Sequence, residues 1–320
     1  MLKDENELRN FVGIYILAHY RNRPRDVALI LNSPNHFARC IKTRTEKIVN
    51  SMHISKEGSL PKQIIESVFR KELPKGHIVP LVICRHYRIL DFGYLKGWRI
   101  VRIATHPDVM NQGIGSFALK EIENEAKENK LDWIGVSFGA TPRLLKFWIR
   151  ANFIPLHISF ERNPVSGEYS VILVKPLNSH AEKLVKDLHY EFRMRLLGSL
   201  MDVHFDIEYE TPWYLLRPFY DYEPHYTLEL TENQRSRLQA FIKEDLPYES
   251  VGDVVKELTK YYFLNTSKRP KLTEFEEKIL IMKCLLIKTW RKISLALEKE
   301  SIEIIKAFRK TIKKLQRCYL

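Results

Sequence analysis

Two rhythms of apolar residues alternate along the middle of this chain. Short β-branched runs with partly alternating polarity predict strands at residues 47–54, 77–84, 98–105, 132–138, 154–160 and 169–174. Between them, apolar positions three and four apart predict helices near 61–70, 115–129 and 141–151. Strands interleaved with helices in this way make a mixed sheet flanked by helices. The two ends differ from the middle. Residues 1–45 read as helical: Leu8, Phe11, Val12 and Tyr15 trace one helix face ending near His19, and a second short helix breaks at Asn32-Ser33-Pro34-Asn35. After Pro176, a helix over 179–197 carries Leu184, Leu188, Phe192 and Leu196 on one side and is closed by Gly198. An aromatic and proline-rich stretch covers 209–226. Thr273 and Glu276 then have the spacing of a capping box. From 273 to 320 there is neither Gly nor Pro, and Phe275, Ile279, Met282, Leu286, Trp290, Ile293 and Leu297 follow a helical seam. The expected class is α+β in three parts: a basic helical segment at 1–45, a sheet domain at 46–178 and an all-helical tail domain at 179–320.

Composition narrows the partners. The 320 residues are 45% hydrophobic, enough for one large or two moderate cores. Lys and Arg total 52 against 39 acids, a formal charge of +13. An excess of this size suits a polyanion better than a small metabolite. Nucleic acid fits better than a membrane, because no apolar run approaches spanning length and the opening residues are charged. Cys40, Cys84, Cys284 and Cys318 stand far apart with no CxxC pair, and the eleven histidines form no HxxxH pair. The expectation is a cytoplasmic protein with no metal.

One junction carries candidate chemistry. The strand at 98–105 runs through a turn, Asn111-Gln112-Gly113-Ile114-Gly115-Ser116, into a helix with Phe117, Leu119, Ile122 and Ala126 at helical spacing. Two glycines there leave backbone N–H groups uncovered at a helix start, a place that receives anions. A Walker loop is absent throughout, so the chain has no ATP site of that kind, and the dinucleotide fingerprint fails for want of a third glycine. What remains resembles the pyrophosphate loop R/Q-x-x-G-x-G/A of the GNAT superfamily of acetyl-CoA-dependent N-acetyltransferases, with Met110 where Gln or Arg is usual.

Further segments resemble one branch of that superfamily. They are Ala18-His19-Tyr20-Arg21-Asn22-Arg23-Pro24, residues 97–104, Gly135-Val136-Ser137-Phe138-Gly139-Ala140-Thr141, Phe147-Trp148 and Ser166-Gly167-Glu168-Tyr169-Ser170. Together they are similar to the tRNA(Met) cytidine acetyltransferase family and its eukaryotic RNA cytidine acetyltransferase relatives, strongly over residues 5–178 and more loosely in the tail. The resemblance implies a GNAT-type sheet and an RNA cytidine N4-acetyltransferase that uses acetyl-CoA to acetylate the exocyclic amine of cytosine in RNA, most simply tRNA. Two other readings stay open: a GNAT enzyme acting on a protein or small amine, and a non-catalytic RNA-binding module that keeps the fold. The family's upstream helicase-like module has no counterpart in these residues. A separate helicase-like ATPase chain, a motor-independent enzyme or a diverged protein would each account for that.

The resemblance also assigns residues. Acetyl-CoA contacts fall on Ile103, Ala104 and Thr105 of the strand, on Met110, Asn111, Gln112, Gly113, Ile114, Gly115 and Ser116 of the loop, and on Arg143 and Arg150. Arg143 stands where the family has an acid. The cytosine amine is conjugated with its ring and must lose a proton during attack, so a base titrating near neutrality suits it. His19 is the candidate, with Tyr20 orienting it or offering a stacking surface, whereas His106 is read as structural. RNA contacts are expected from Arg21, Arg23 and Arg25 near the N-terminus and from Lys310, Lys313 and Lys314 in the last helix, where no acid follows Glu303. Each cluster also suits an ordinary solvated face.

Overall fold

The computed structural model describes residues 4–18, 24–70 and 76–320. The chain separates into two compact units, one of Met1–Gly139, Trp148–Ile158 and Ser170–Leu188, the other of Ala140–Phe147, Ser159–Tyr169 and His189–Leu320.

In the first unit, helices α1 (Glu5–Ala18) and α2 (Pro24–Asn32) precede strands β1 (His36–Lys42) and β2 (Ile48–Gly58). Phe11, Ile14 and Tyr15 bring the apolar face of α1 into a buried cluster with Ile30, Ile48 and Ala104. Strand β1 lies inside the segment expected to be helical. Its Ala38 and Cys40 pack on that same cluster while Arg39 points the other way, a strand alternation too short and too polar to stand out from sequence. Helix α3 (Lys62–Ser67) follows, extended by a 3-10 turn over Val68–Arg70, and then α4 (Ile78–Tyr87) and α5 (Asp91–Tyr94).

The expected strand at 77–84 is therefore helix α4. Its β-branched run misled because Val79, Ile83 and Cys84 are fully buried, and a helix apolar on most sides loses its 3.6-residue signature. Pro80 sits in the first turn, where its missing N–H costs nothing. The Val79 N–H is capped by the Glu57 carboxylate of β2 at 3.0 Å.

The chain continues with β3 (Lys96–Thr105), a 3-10 turn (Pro107–Val109), α6 (Ile114–Glu128), β4 (Trp133–Gly139), α7 (Pro142–Arg150), β5 (Ile154–Arg162) and β6 (Tyr169–Pro176). The six strands lie in the order β1-β2-β3-β4-β6-β5, with β3 and β4 parallel and β1/β2, β2/β3 and β4/β6 antiparallel. Helices cover both faces. Ser51 on β2 donates to the Phe11 carbonyl of α1, and Glu57, on the same face, caps α4. On the opposite face Arg39, paired with Met52, reaches Glu125 of α6 at 2.5 Å. The GNAT-type mixed sheet expected from sequence is present.

The remaining helices are α8 (Ser179–Ser199), α9 (Glu210–Leu215), α10 (Glu232–Ile242), α11 (Gly252–Leu264), α12 (Glu274–Leu280), α13 (Trp290–Leu297) and α14 (Ser301–Tyr319). All but the first ten residues of α8 belong to the second unit, and α8 runs through Gly198 instead of ending at it. Phe241, Leu258, Phe263, Phe308 and Ile312 are among its buried residues. Arg193 of α8 is fully buried, with no carboxylate partner among the described residues; its guanidinium donates to the carbonyls of Leu216 at 2.6 Å, Arg217 at 3.1 Å and Phe263. Those acceptors lie at the C-terminal ends of α9 and α11, where helix dipoles favour a cation. The capping box of α12 forms as expected, Thr273 N–H to Glu276 at 2.9 Å and Glu276 N–H to Thr273 Oγ1 at 3.2 Å.

The Phe275–Leu297 seam is helical but interrupted. Helix α12 passes into a π turn (Ile281–Leu285), the chain breaks at Ile287, and α13 restarts behind Thr289. It breaks again at Glu298. Both breaks use a left-handed residue that is not glycine, so no local signal announced them. Among the described residues no helix is long and apolar enough to cross a membrane.

Candidate active site

The parallel strands β3 and β4 pair only over Gly97–Ile100 and Trp133–Val136. Beyond that ladder β3 continues to Thr105 and β4 to Gly139, and the sheet opens between them. A bulge marks the opening: Ile54 pairs with Ile100 and His53 with Arg102, so Val101 is an extra residue on β3. Bulges bend a strand and raise its local twist. The strand is held to β2 beyond the bulge, and the His106 N–H donates to Val49 at 2.9 Å. Backbone groups alternate in direction along a strand, so the N–H groups of Thr105 and Ile103 face away from β2, into the opening, whereas that of Ala104 faces β2. Of the three strand residues expected to contact acetyl-CoA, Ile103 and Thr105 turn their N–H groups into the opening.

At the end of β3 the chain turns sharply into α6. His106 Nδ1 accepts from the Asp108 N–H at 3.4 Å and closes the 3-10 turn. Asn111 (φ 61°) and Gly113 (φ 83°) are both left-handed. Gly113 is the N-cap of α6 and provides no side-chain cap, and the first turn holds no acid. The opening amides of α6 therefore meet no anion from their own helix, and residues 111–113 and Ser116 are exposed. Uncapped amides and the positive end of the dipole suit a phosphate.

On the α1/α4 face of β2 and β3 lies a buried polar strip that sequence reasoning missed. Glu57 holds Arg99 at 2.5 Å, and both are buried. His53 and His36 share a ring-nitrogen hydrogen bond of 2.8 Å; His53 is buried, and its Nδ1 has no partner among the described residues. Arg102 stands 5.9 Å from the Tyr15 ring. Burial, followed by the charges of His36, Arg99 and Arg102, pushes His53 down to about 3; burial and Arg99 also lower His36. Both rings are neutral at pH 7. The available signal was the recurrence of polar residues at 51, 53, 55 and 57 in a strand with apolar 52 and 54 on its other side.

The family is decided by comparison with known proteins. The profile of GNAT acetyltransferase 2 matches residues 10–125 and 121–178. The chain belongs to this GNAT family. Among its relatives, the tRNA(Met) cytidine acetyltransferase TmcA of Methanopyrus kandleri is 44% identical over 305 residues, which are 95% of this chain and 35% of that protein. The protein of the same name from a Thermococcus species is 46% identical over 90% of this chain and 36% of its own length. TmcA 2 of Saccharolobus solfataricus is 33% identical over all of this chain and 41% of its own length. The chain thus spans roughly a third to two-fifths of the curated relatives it matches.

The other expected site residues of this GNAT chain are distributed as follows. Arg143 and Arg150 are exposed on α7 and, with Lys146, lie at intervals of three and four on one helix face. His19, Tyr20, Arg21 and Arg23 lie outside the described residues, and Arg25 is in the first turn of α2. In α14, Lys306, Lys310, Lys313 and Arg317 are exposed at intervals of four, three and four, forming one basic stripe. Lys314 is on a different footing. It donates to Glu276 at 2.6 Å, and Glu276 is buried. Its charge is committed to holding α14 against α12, which sets it apart from Lys310 and Lys313.

Proposed function

We propose that this chain transfers the acetyl group of acetyl-CoA directly to the exocyclic amine of a cytidine in RNA, with tRNA as the substrate class, giving N4-acetylcytidine. The observation that supports this most is the opening between β3 and β4, with an uncapped, acid-free helix start at its end. In this reading the α6 amides around Gly113–Ser116 hold the pyrophosphate, with Met110, Asn111 and Gln112 shaping the approach and Arg143 and Arg150 adding positive charge. The N–H groups of Ile103 and Thr105 polarise the thioester carbonyl where charge develops. The new N–C bond forms as the thioester C–S bond breaks, and the amine proton passes to a base, for which His19 is the candidate with Tyr20 beside it. Because the amine is a weak nucleophile, positioning supplies much of the acceleration. RNA is held by the α14 stripe, including Lys310 and Lys313, and by Arg21, Arg23 and Arg25. Lys314 supports that stripe from behind. The relatives' TmcA names favour tRNA over a protein or polyamine acceptor, and so does the net positive charge.

The test is to incubate the purified chain with acetyl-CoA and tRNA, with and without ATP, and analyse the digested nucleosides. N4-acetylcytidine formed without ATP supports a motor-independent enzyme; product only after a helicase-like ATPase is added supports a separate motor. Acetylated peptides or polyamines with untouched RNA would overturn the proposal. RNA binding without product under every condition would favour the non-catalytic module.

A further inference from the structure

A cavity of about 390 Å³ lies within the helical unit, between the segment after α8 and the break before α13. Its size falls in the range of sites for small ligands. Its walls are apolar, from Met201, Phe205, Leu286 and Ile287, and Lys288 and Lys292 stand at its edge.

Three features set it apart from an ordinary surface hollow. Phe205 is 62% exposed, yet the residues on both sides of it are pinned. His204 bonds Ser199 at 2.8 Å and the Ser159 carbonyl at 2.9 Å; Asp206 is held by Tyr169 at 2.9 Å and Arg162 at 3.1 Å. The Phe205 carbonyl itself accepts from Lys288 at 2.8 Å. The ring is thus presented outward on a fixed backbone. Second, Ile287 holds a left-handed backbone (φ 50°) while its side chain is 55% exposed. That conformation is costly for a β-branched residue, and burial does not compensate it here. It follows a π turn, a feature frequent at functional sites. Third, the break before α13 and the first turn of that helix carry Lys288, Arg291 and Lys292 and no acid, whereas Lys278 and Lys283, earlier in the chain, are taken up by Glu210 and Glu274 and by the Tyr248 and Trp290 rings. Across the cavity, Asp206 is paired with Arg162, and Asp202 and Glu208 are the other acids between α8 and α9.

We propose that this cavity binds one unstacked nucleotide of the RNA substrate, its base stacked on Phe205 against Ile287 and its phosphate met by Lys292. This rests on the RNA reading above but concerns a site none of its residues include. An apolar wall with a rigid aromatic and a cationic edge is the combination that single-stranded nucleic acid uses: the ring takes a base face and the lysine takes the phosphate. A polypeptide partner would satisfy the apolar wall but leave the acid-free run of cations unused.

The experiment measures tRNA affinity by fluorescence anisotropy and acetyl transfer by nucleoside analysis for the intact chain and for Phe205→Ala, Phe205→Trp and Lys292→Ala. Phe205→Ala is expected to weaken tRNA affinity about tenfold, the effect of one lost stacked base, and to raise KM for tRNA while leaving acetyl-CoA affinity and kcat unchanged. Phe205→Trp restores binding, and Lys292→Ala lowers the salt dependence of affinity. Ultraviolet cross-linking places a nucleotide adduct on the Phe205 peptide. Wild-type tRNA affinity in Phe205→Ala, with the parent chain binding and acetylating tRNA, would overturn this proposal alone and assign the cavity to a polypeptide. A parent chain that neither binds nor acetylates RNA would overturn it together with the reading beneath it.

Discussion

Substituting Gly113 by Ala separates backbone geometry from side-chain contact in the loop before α6. An added Cβ there would meet nothing within 4 Å, so no clash arises. The cost is conformational, because φ is 83°. A left-handed backbone costs an L-residue roughly 1–2 kcal/mol, equivalent to about 5–30-fold in an equilibrium constant. That energy must surface in one of two places. If the free protein keeps the loop as it is, stability falls. If the loop relaxes, acetyl-CoA must restore it on binding, and affinity falls instead. The Ala change also stiffens the unfolded chain by about 0.4–1 kcal/mol, which hides part of the strain in the stability measurement but none of it in the affinity. Denaturant unfolding and acetyl-CoA titration calorimetry together should therefore account for about 1–2 kcal/mol after that correction. Gly113→Asn should recover most of it, since Asn tolerates this region and Asn111 already occupies it at φ 61°. An Ala variant equal to wild type in both measurements would refute the role of loop conformation, as would an Asn variant no better than Ala.

The polar strip gives a pH prediction. His53 is held near 3 in the folded chain against an ordinary 6.5, so the unfolded state binds the extra proton and stability falls with acidification. The contribution is fully present above about pH 6.5 and is lost toward pH 3, at about 1.4 kcal/mol per pH unit; denaturant unfolding of His53→Gln should show a shallower slope, and an unchanged slope would refute the assignment. Burial lowers the Arg193 guanidinium to about 10, and Arg193→Met leaves its backbone acceptors unpaired, so chemical denaturation should show a loss of about 3 kcal/mol or more. Lys310→Ala with Lys313→Ala should reduce the slope of log affinity for tRNA against log salt by about 1.4–1.8. Lys314→Ala should instead lower the melting temperature by stranding buried Glu276 and leave that salt slope alone.

What could be read in advance was local. The loop before α6 announced itself because Gly113 and Gly115 sit directly between a strand pattern and a helix pattern, and the capping box from Thr273 to Glu276 spans four residues. Features set by distant partners were not legible. Helix α4 depends on Glu57, 22 residues away, for its cap, so its Ile78–Cys84 run looked like a strand. Lys314 resembles Lys313 in composition and differs only because Glu276, 38 residues earlier, lies under it. The breaks at Ile287 and Glu298 use residues that ordinarily continue a helix. The bulge left one trace: Arg99 and Arg102 share a face at a spacing of three, where a regular strand requires an even number.

That spacing makes Val101 a phase marker. Before it, Gly97 and Arg99 pair with Glu57 and Ser55 on the α1/α4 face; after it, Arg102 and Ala104 pair with His53 and Ser51 on the same face. Parity along the strand changes once, there. The quantity that matters is a count of residues and not the identity of a side chain, so replacing Val101 by another residue would preserve the arrangement. Removing it would set Arg102 directly after Ile100, so Arg102 and Ala104 would keep their partners and their face while the bend and added twist at the mouth of the cleft would be lost. A substitution scan would pass over the position that a one-residue deletion scan would single out.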